Sequence, residues 1–200
     1  MRAVTRFLSL HLILLPGLLL SATARADDPA LIARLQALTE AALVDPGPAT
    51  RAMAELQRSV DPANAPVALR RLAELRCKHE PVTAQGVAVA REALAQLGAP
   101  APDASEALRQ QHLRLLVCER QRSAYAGSPE TIAQAESDLA RLAADADAEG
   151  WPLLRALARM EQGEMMSARR QLALAQPLLI ESCRVLGDEH RAWEDHRRCQ

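Results

Sequence analysis

The chain has 200 residues with nearly balanced charge, 24 basic against 25 acidic, and only 2% aromatic side chains. Nucleic-acid recognition draws on a basic face and on rings that stack with bases, and this composition supplies neither. Ala, Leu, Arg, Glu and Gln dominate and β-branched residues are few, which points to an all-α protein.

The first segment reads as an export signal. Arg2 and Arg6 precede the apolar run Phe7–Leu20, and Ala24-Arg25-Ala26 follows with small residues at the first and third positions. That order is a secretory signal with cleavage after Ala26. The run falls short of the about 20 residues a membrane-spanning helix needs. The expected mature chain, 27–200, keeps 21 basic and all 25 acidic residues for a net of −4, and no membrane association is expected once the signal is removed.

Beyond the signal, apolar residues recur at helical spacing. Leu31, Leu35, Leu38 and Ala42 share one face, as do Leu69, Leu72 and Ala73, and then Leu108, Leu115 and Leu116. Breakers divide the pattern: Asp45-Pro46-Gly47-Pro48, the run Asp61–Pro66, Pro81, and Gly98-Ala99-Pro100-Ala101-Pro102. Ser128-Pro129 starts a helix, with Ser128 as cap and Pro129 in the first turn. The expected helices are 29–44, 48–60, 66–79, 82–97, 104–126, 129–146, 150–162, 164–186 and 188–197. They pair into hairpins near 29–60, 66–97, 104–146 and 150–186, followed by a polar C-terminal tail.

A repeat runs through these hairpins. Ala followed four residues later by Leu recurs at Ala52/Leu56, Ala90/Leu94, Ala135/Leu139 and Ala168/Leu172. A small residue lets the two helices of a hairpin approach, and Leu fills the adjoining groove. Units of 33–45 residues with this content predict antiparallel hairpins stacked in sequence order as a short tetratricopeptide-like α-solenoid.

With Leu69-Arg-Arg-Leu-Ala-Glu-Leu-Arg-Cys77 and Leu113-Arg-Leu-Leu-Val-Cys-Glu-Arg120 inside such hairpins, the stretch from Ala65 to Ala175 resembles the periplasmic tetratricopeptide-like sensor regions of bacterial membrane-tethered diguanylate cyclases. The resemblance implies a periplasmic scaffold for a peptide, protein or small ligand. It does not carry over cyclase activity, because Gly187-Asp188-Glu189-His190 lacks the second Gly and the Phe of the cyclase loop. It leaves open that the chain is a truncated remnant of a longer sensor.

Four cysteines in an exported chain favour disulfides. Spacing alone leaves their connectivity open. Cys77 and Cys118 hold matching places in the first helices of neighbouring hairpins and carry the resemblance most distinctly, so they are the expected bridge. Cys183 with Cys199 is a second expected pair. The rival from another class is a Cys/His metal protein with Cys77, His79 and Cys118 as ligands, but Cys-x-His on a helix sends the two side chains about 200° apart. No motif for a nucleophile, a phosphate loop or a cofactor is present. The expectation is a non-enzymatic binding or sensor module for a peptide or protein partner. Its concave face would be lined by helices 66–79, 104–126 and 150–162, with Arg70, Arg76, Arg114, Arg155 and Trp151 as candidate contacts.

Overall fold

The structure, a computed structural model, describes residues 29–187. The export signal, Cys199 and the tail helix expected at 188–197 lie outside the described residues. Eight helices follow one another: α1 (Pro29–Val44), α2 (Pro46–Ser59), α3 (Pro66–His79), α4 (Ala84–Leu97), α5 (Glu106–Tyr125), α6 (Pro129–Ala148), α7 (Pro152–Ala168) and α8 (Leu172–Gly187). Among the described residues there is no strand, and no helix is long and apolar enough to cross a membrane.

The starts of these helices are written locally. Proline opens α2, α3, α6 and α7, where its missing N–H leaves no bond unmade. Asp45, Thr83, Ser105 and Ser128 accept a hydrogen bond from the backbone N–H of Gly47, Gly86, Leu108 and Thr131 respectively. Each thereby satisfies a donor that the helix itself cannot pair.

Consecutive helices form the hairpins α1/α2, α3/α4, α5/α6 and α7/α8. Every substantial packing joins elements no more than two apart in order: the first helices pack in a row, α1 on α3, α3 on α5 and α5 on α7. That is a solenoid-like all-α stack rather than a closed bundle. The core divides accordingly. Leu35, Met53, Leu56, Leu72 and Leu75 fill the N-terminal third, and Leu139, Leu157, Met160 and Met165 anchor the C-terminal third. The middle is built from small side chains, Ala73, Cys77, Ala90, Ala93 and Cys118, around Leu115. Small side chains bury little apolar area each, so this junction gains least from the hydrophobic effect.

The last hairpin departs from expectation. Gly163 does not end a helix; α7 continues through it to Ala168, and the turn is made at Arg170, whose φ of 62° reverses the chain. A Cβ on Gly163 would stand 2.9 Å from Leu179 Cγ and 3.3 Å from the Ala175 carbonyl, so the glycine marks a close approach of α7 to α8. Ala168 and Leu172 therefore flank the turn, and Leu172 is 62% exposed. The fourth small/Leu pair is Ala175/Leu179, with Ala175 buried and Leu179 packed on the core. Gly163→Ala is expected to destabilise by about 1 kcal/mol, because overpacking at Leu179 outweighs the helix propensity gained. Urea denaturation measures it; a stabilised variant would show that α7 and α8 can move apart freely.

Candidate ligand-binding groove

The row of first helices leaves a groove of about 370 Å³ on one side of the stack. Its floor is apolar, with Leu43 of α1, Val117 of α5 and Leu157 of α7. Its polar lining comes from Lys78 and His79 of α3, Arg114, Gln121 and Arg122 of α5, and Glu161 and Glu164 of α7. The spacing explains the convergence. Positions 114, 118, 121 and 122 fall on one helical face, as do 157, 161 and 164, and both faces turn the same way because the helices are stacked in register.

Beside Lys78 and Arg114 lies a fully buried carboxylate. Glu74 accepts from Arg114 Nε at 3.0 Å and from Gln111 Nε2 at 2.5 Å on α5, and pairs with Arg71 at 2.9 Å and Lys78 at 3.1 Å on its own helix. Burial alone would raise its pKa. Arg114, Lys78 and Arg71, with the Gln111 hydrogen bond, outweigh that and hold the carboxyl well below the usual range. Arg71, Lys78 and Arg114 share this one anion. Arg122 also donates to the Lys78 carbonyl, a further tie between α5 and α3.

A second buried carboxylate sits one repeat further on. Glu119 accepts from Arg91 Nε of α4 at 2.8 Å and from Ser123 Oγ at 2.6 Å, and also pairs with Arg120. Arg120 reaches on to Asp138 of α6 at 2.8 Å. The Arg91 tie crosses from the second hairpin to the third, and the Arg120–Asp138 tie holds α5 to α6 within the third.

Cys77 and Cys118 are joined by a disulfide, with Cα atoms 6.3 Å apart, and Cys118 borders the groove. The bridge clamps α3 to α5 in the region where the core is built of small side chains. With both sulfurs bonded to each other, neither offers a thiolate to a metal alongside His79. Among the described residues no group of three His, Cys, Asp or Glu side chains converges as a metal site. Cys183 is disulfide-bonded, while Cys199 lies outside the described residues.

Of the five contacts expected on the concave face, only Arg114 lines this groove. Arg70 is 3% exposed and donates to the carbonyls of Leu97 and Gly98 at 2.8 and 2.9 Å, which caps the C-terminus of α4. Arg76 bonds Gln57 at 2.8 Å and fixes α3 on α2. Arg155 pairs with Asp147 at 2.6 Å across the α6–α7 turn. Trp151 is buried; its indole N–H donates to Glu106 at 2.9 Å, and the Arg109 guanidinium lies 5.2 Å from the ring centroid. Arg109 in turn makes two 2.8 Å bonds to Glu149. Trp151 therefore pins α5 to the start of α7 and borders a separate shallow pocket under the Pro100–Pro102 loop.

Sequence reasoning passed over Lys78, Gln121, Arg122, Glu161 and Glu164 as groove residues. A signal for them existed: once Cys118 is placed on the inner face, 114, 121 and 122 follow by helical spacing. No family model matches this chain, and no curated protein or solved structure is significantly similar to it.

Proposed function

We propose that the protein is an exported, non-enzymatic helical-repeat module that holds a peptide or protein segment in the groove formed by α1, α3, α5 and α7. The observation that carries this reading is the groove itself. A groove lined by both apolar and polar side chains suits an extended chain that lays down side chains and keeps its backbone hydrated. Ion pairs to the buried Glu74 and a disulfide hold α3 on α5 beside the groove, so little ordering is left to be done on binding. Export is supported by the signal-like segment 1–26 and by the disulfide.

A titration of the mature protein with blocked tetrapeptides, followed by amide NMR, tests the reading. Shifts are expected to cluster at Cys118, Gln121 and Leu157 and to leave the outer face of α8 unmoved. An absence of groove shifts at millimolar peptide would sink the proposal.

A second reading has its own observation. Ile32 and Val44 on α1, and Leu172, Leu174 and Ile180 on α8, leave both ends of the stack with exposed apolar side chains. Further repeats would cover such ends, as in a sensor region of a longer protein. A neighbouring reading frame that encodes more repeats, a membrane helix and a cyclase domain would support it; a frame flanked by unrelated genes would count against it.

A further inference from the structure

We propose that the shallow pocket under the Pro100–Pro102 loop is a second binding site, for a small primary amine with a branched apolar body. It shares no lining residue with the groove. Its volume of about 360 Å³ falls within the range of about 300–1,000 Å³ typical of small-molecule sites. The rim is preformed: Gly98, at a φ of 61°, turns the chain out of α4, and Pro100 and Pro102 fix the backbone that follows. Beneath the rim, Leu113 and Leu116 of α5, Leu142 of α6 and Trp151 at the start of α7 supply an apolar lining for the body of a ligand.

The polar lining selects the head group. Arg109 and Glu149 answer each other through two 2.8 Å bonds, and the guanidinium also rests on the Trp151 ring. The exposed Asp145 carboxylate has no hydrogen bond or ion pair among the described residues. It stands in the last turn of α6, where the helix's own carbonyls add negative partial charge. The unanswered charge in the pocket is therefore negative: an ammonium gains there and a carboxylate loses. His112 completes the choice. Burial and the charge of Arg70 lower its pKa, so at neutral pH the imidazole is uncharged and does not repel a cation. Arg70 itself is turned to the carbonyls of Leu97 and Gly98. The His112 Nδ1 is buried without a hydrogen-bond partner, so no bond there fixes which nitrogen holds the proton. Nε2 can then accept from a ligand N–H, which a primary ammonium has and a quaternary one lacks.

The test titrates isoamylamine, isoamyl alcohol, isovalerate and ammonium chloride separately into the mature protein and follows the Trp151 indole N–H and Leu142 amide resonances. Isoamylamine is expected to shift both and to bind about fivefold tighter than the alcohol, the gain of one exposed ion pair. Isovalerate should bind more weakly than the alcohol, and trimethylation of the amine should weaken it. Asp145→Asn removes a charge that has no partner to lose, so the variant should keep its melting temperature and bind amine and alcohol alike. An alcohol that matches the amine on the wild type overturns the proposal, as does an amine preference that survives Asp145→Asn. Ammonium ion that alone reproduces the shifts reduces the site to a surface charge contact and overturns it too. If no probe moves Trp151 or Leu142, the pocket is not a site, and the groove reading is untouched because the two share no residue.

Discussion

Replacing Cys77 and Cys118 together by alanine is expected to destabilise the protein by about 4 kcal/mol, equivalent to roughly 10 °C in melting temperature. The bridge spans a sequence separation of 41 residues. A loop of that length loses much of its unfolded-state freedom when closed, and the chain-entropy relation gives about 4 kcal/mol. The effect is large because of where the bridge sits. A stack whose parts touch only their neighbours cannot redistribute a local loss. The junction of α3 and α5 has mainly Ala and Cys side chains to bury. Calorimetry on the oxidised wild type and the double variant measures the difference; a shift under 2 °C would move the source of cohesion to the ion-pair network. Cys77 is fully buried and Cys118 nearly so, so reductant should act on the wild type only once denaturant opens the junction.

Glu74→Gln should cost about 3 kcal/mol. The substitution keeps the shape and removes the charge, so Arg71, Lys78 and Arg114 each lose their ion pair with this buried carboxylate. Removing one member of a buried pair costs more than the pair is worth, because the partners stay desolvated. Glu74→Gln combined with Arg114→Met should recover part of the loss, and a double-mutant cycle from urea denaturation reads the coupling. The pH dependence follows from the same contacts. The folded carboxyl lies well below the usual carboxylate range. A depressed folded pKa contributes stability that is present above about pH 4.5 and is lost as pH falls from there through the folded value. Around Glu74 the titrating or charged neighbours are Arg71 and Lys78 on α3 and Arg114 on α5, all of which stay protonated in that window. Wild type should therefore lose stability on acidification below pH 4.5 while Glu74→Gln loses less. Parallel acid curves would assign the loss to other carboxylates.

The sequence by itself determined the class of fold and most of its punctuation. Helical periodicity placed α1, α3 and α5 within two residues of their observed bounds, because amphipathic spacing and N-cap chemistry are local. It also pointed to the positions of Cys77 and Cys118, since equivalent residues of stacked repeats come together whatever the details of packing. Three features were decided only by tertiary structure. The last turn fell at Arg170 rather than Gly163, because a glycine looks the same in sequence whether it breaks a helix or admits a neighbour at 3 Å. The fates of Arg70, Arg76 and Arg155 depended on which carbonyl or carboxylate from another element lay within reach, and helical spacing carries no such information. The groove needed the most from the third dimension. Glu161 and Arg122 lie on different helices more than thirty residues apart in sequence, and only the lateral packing of α5 on α7 brings them to one groove.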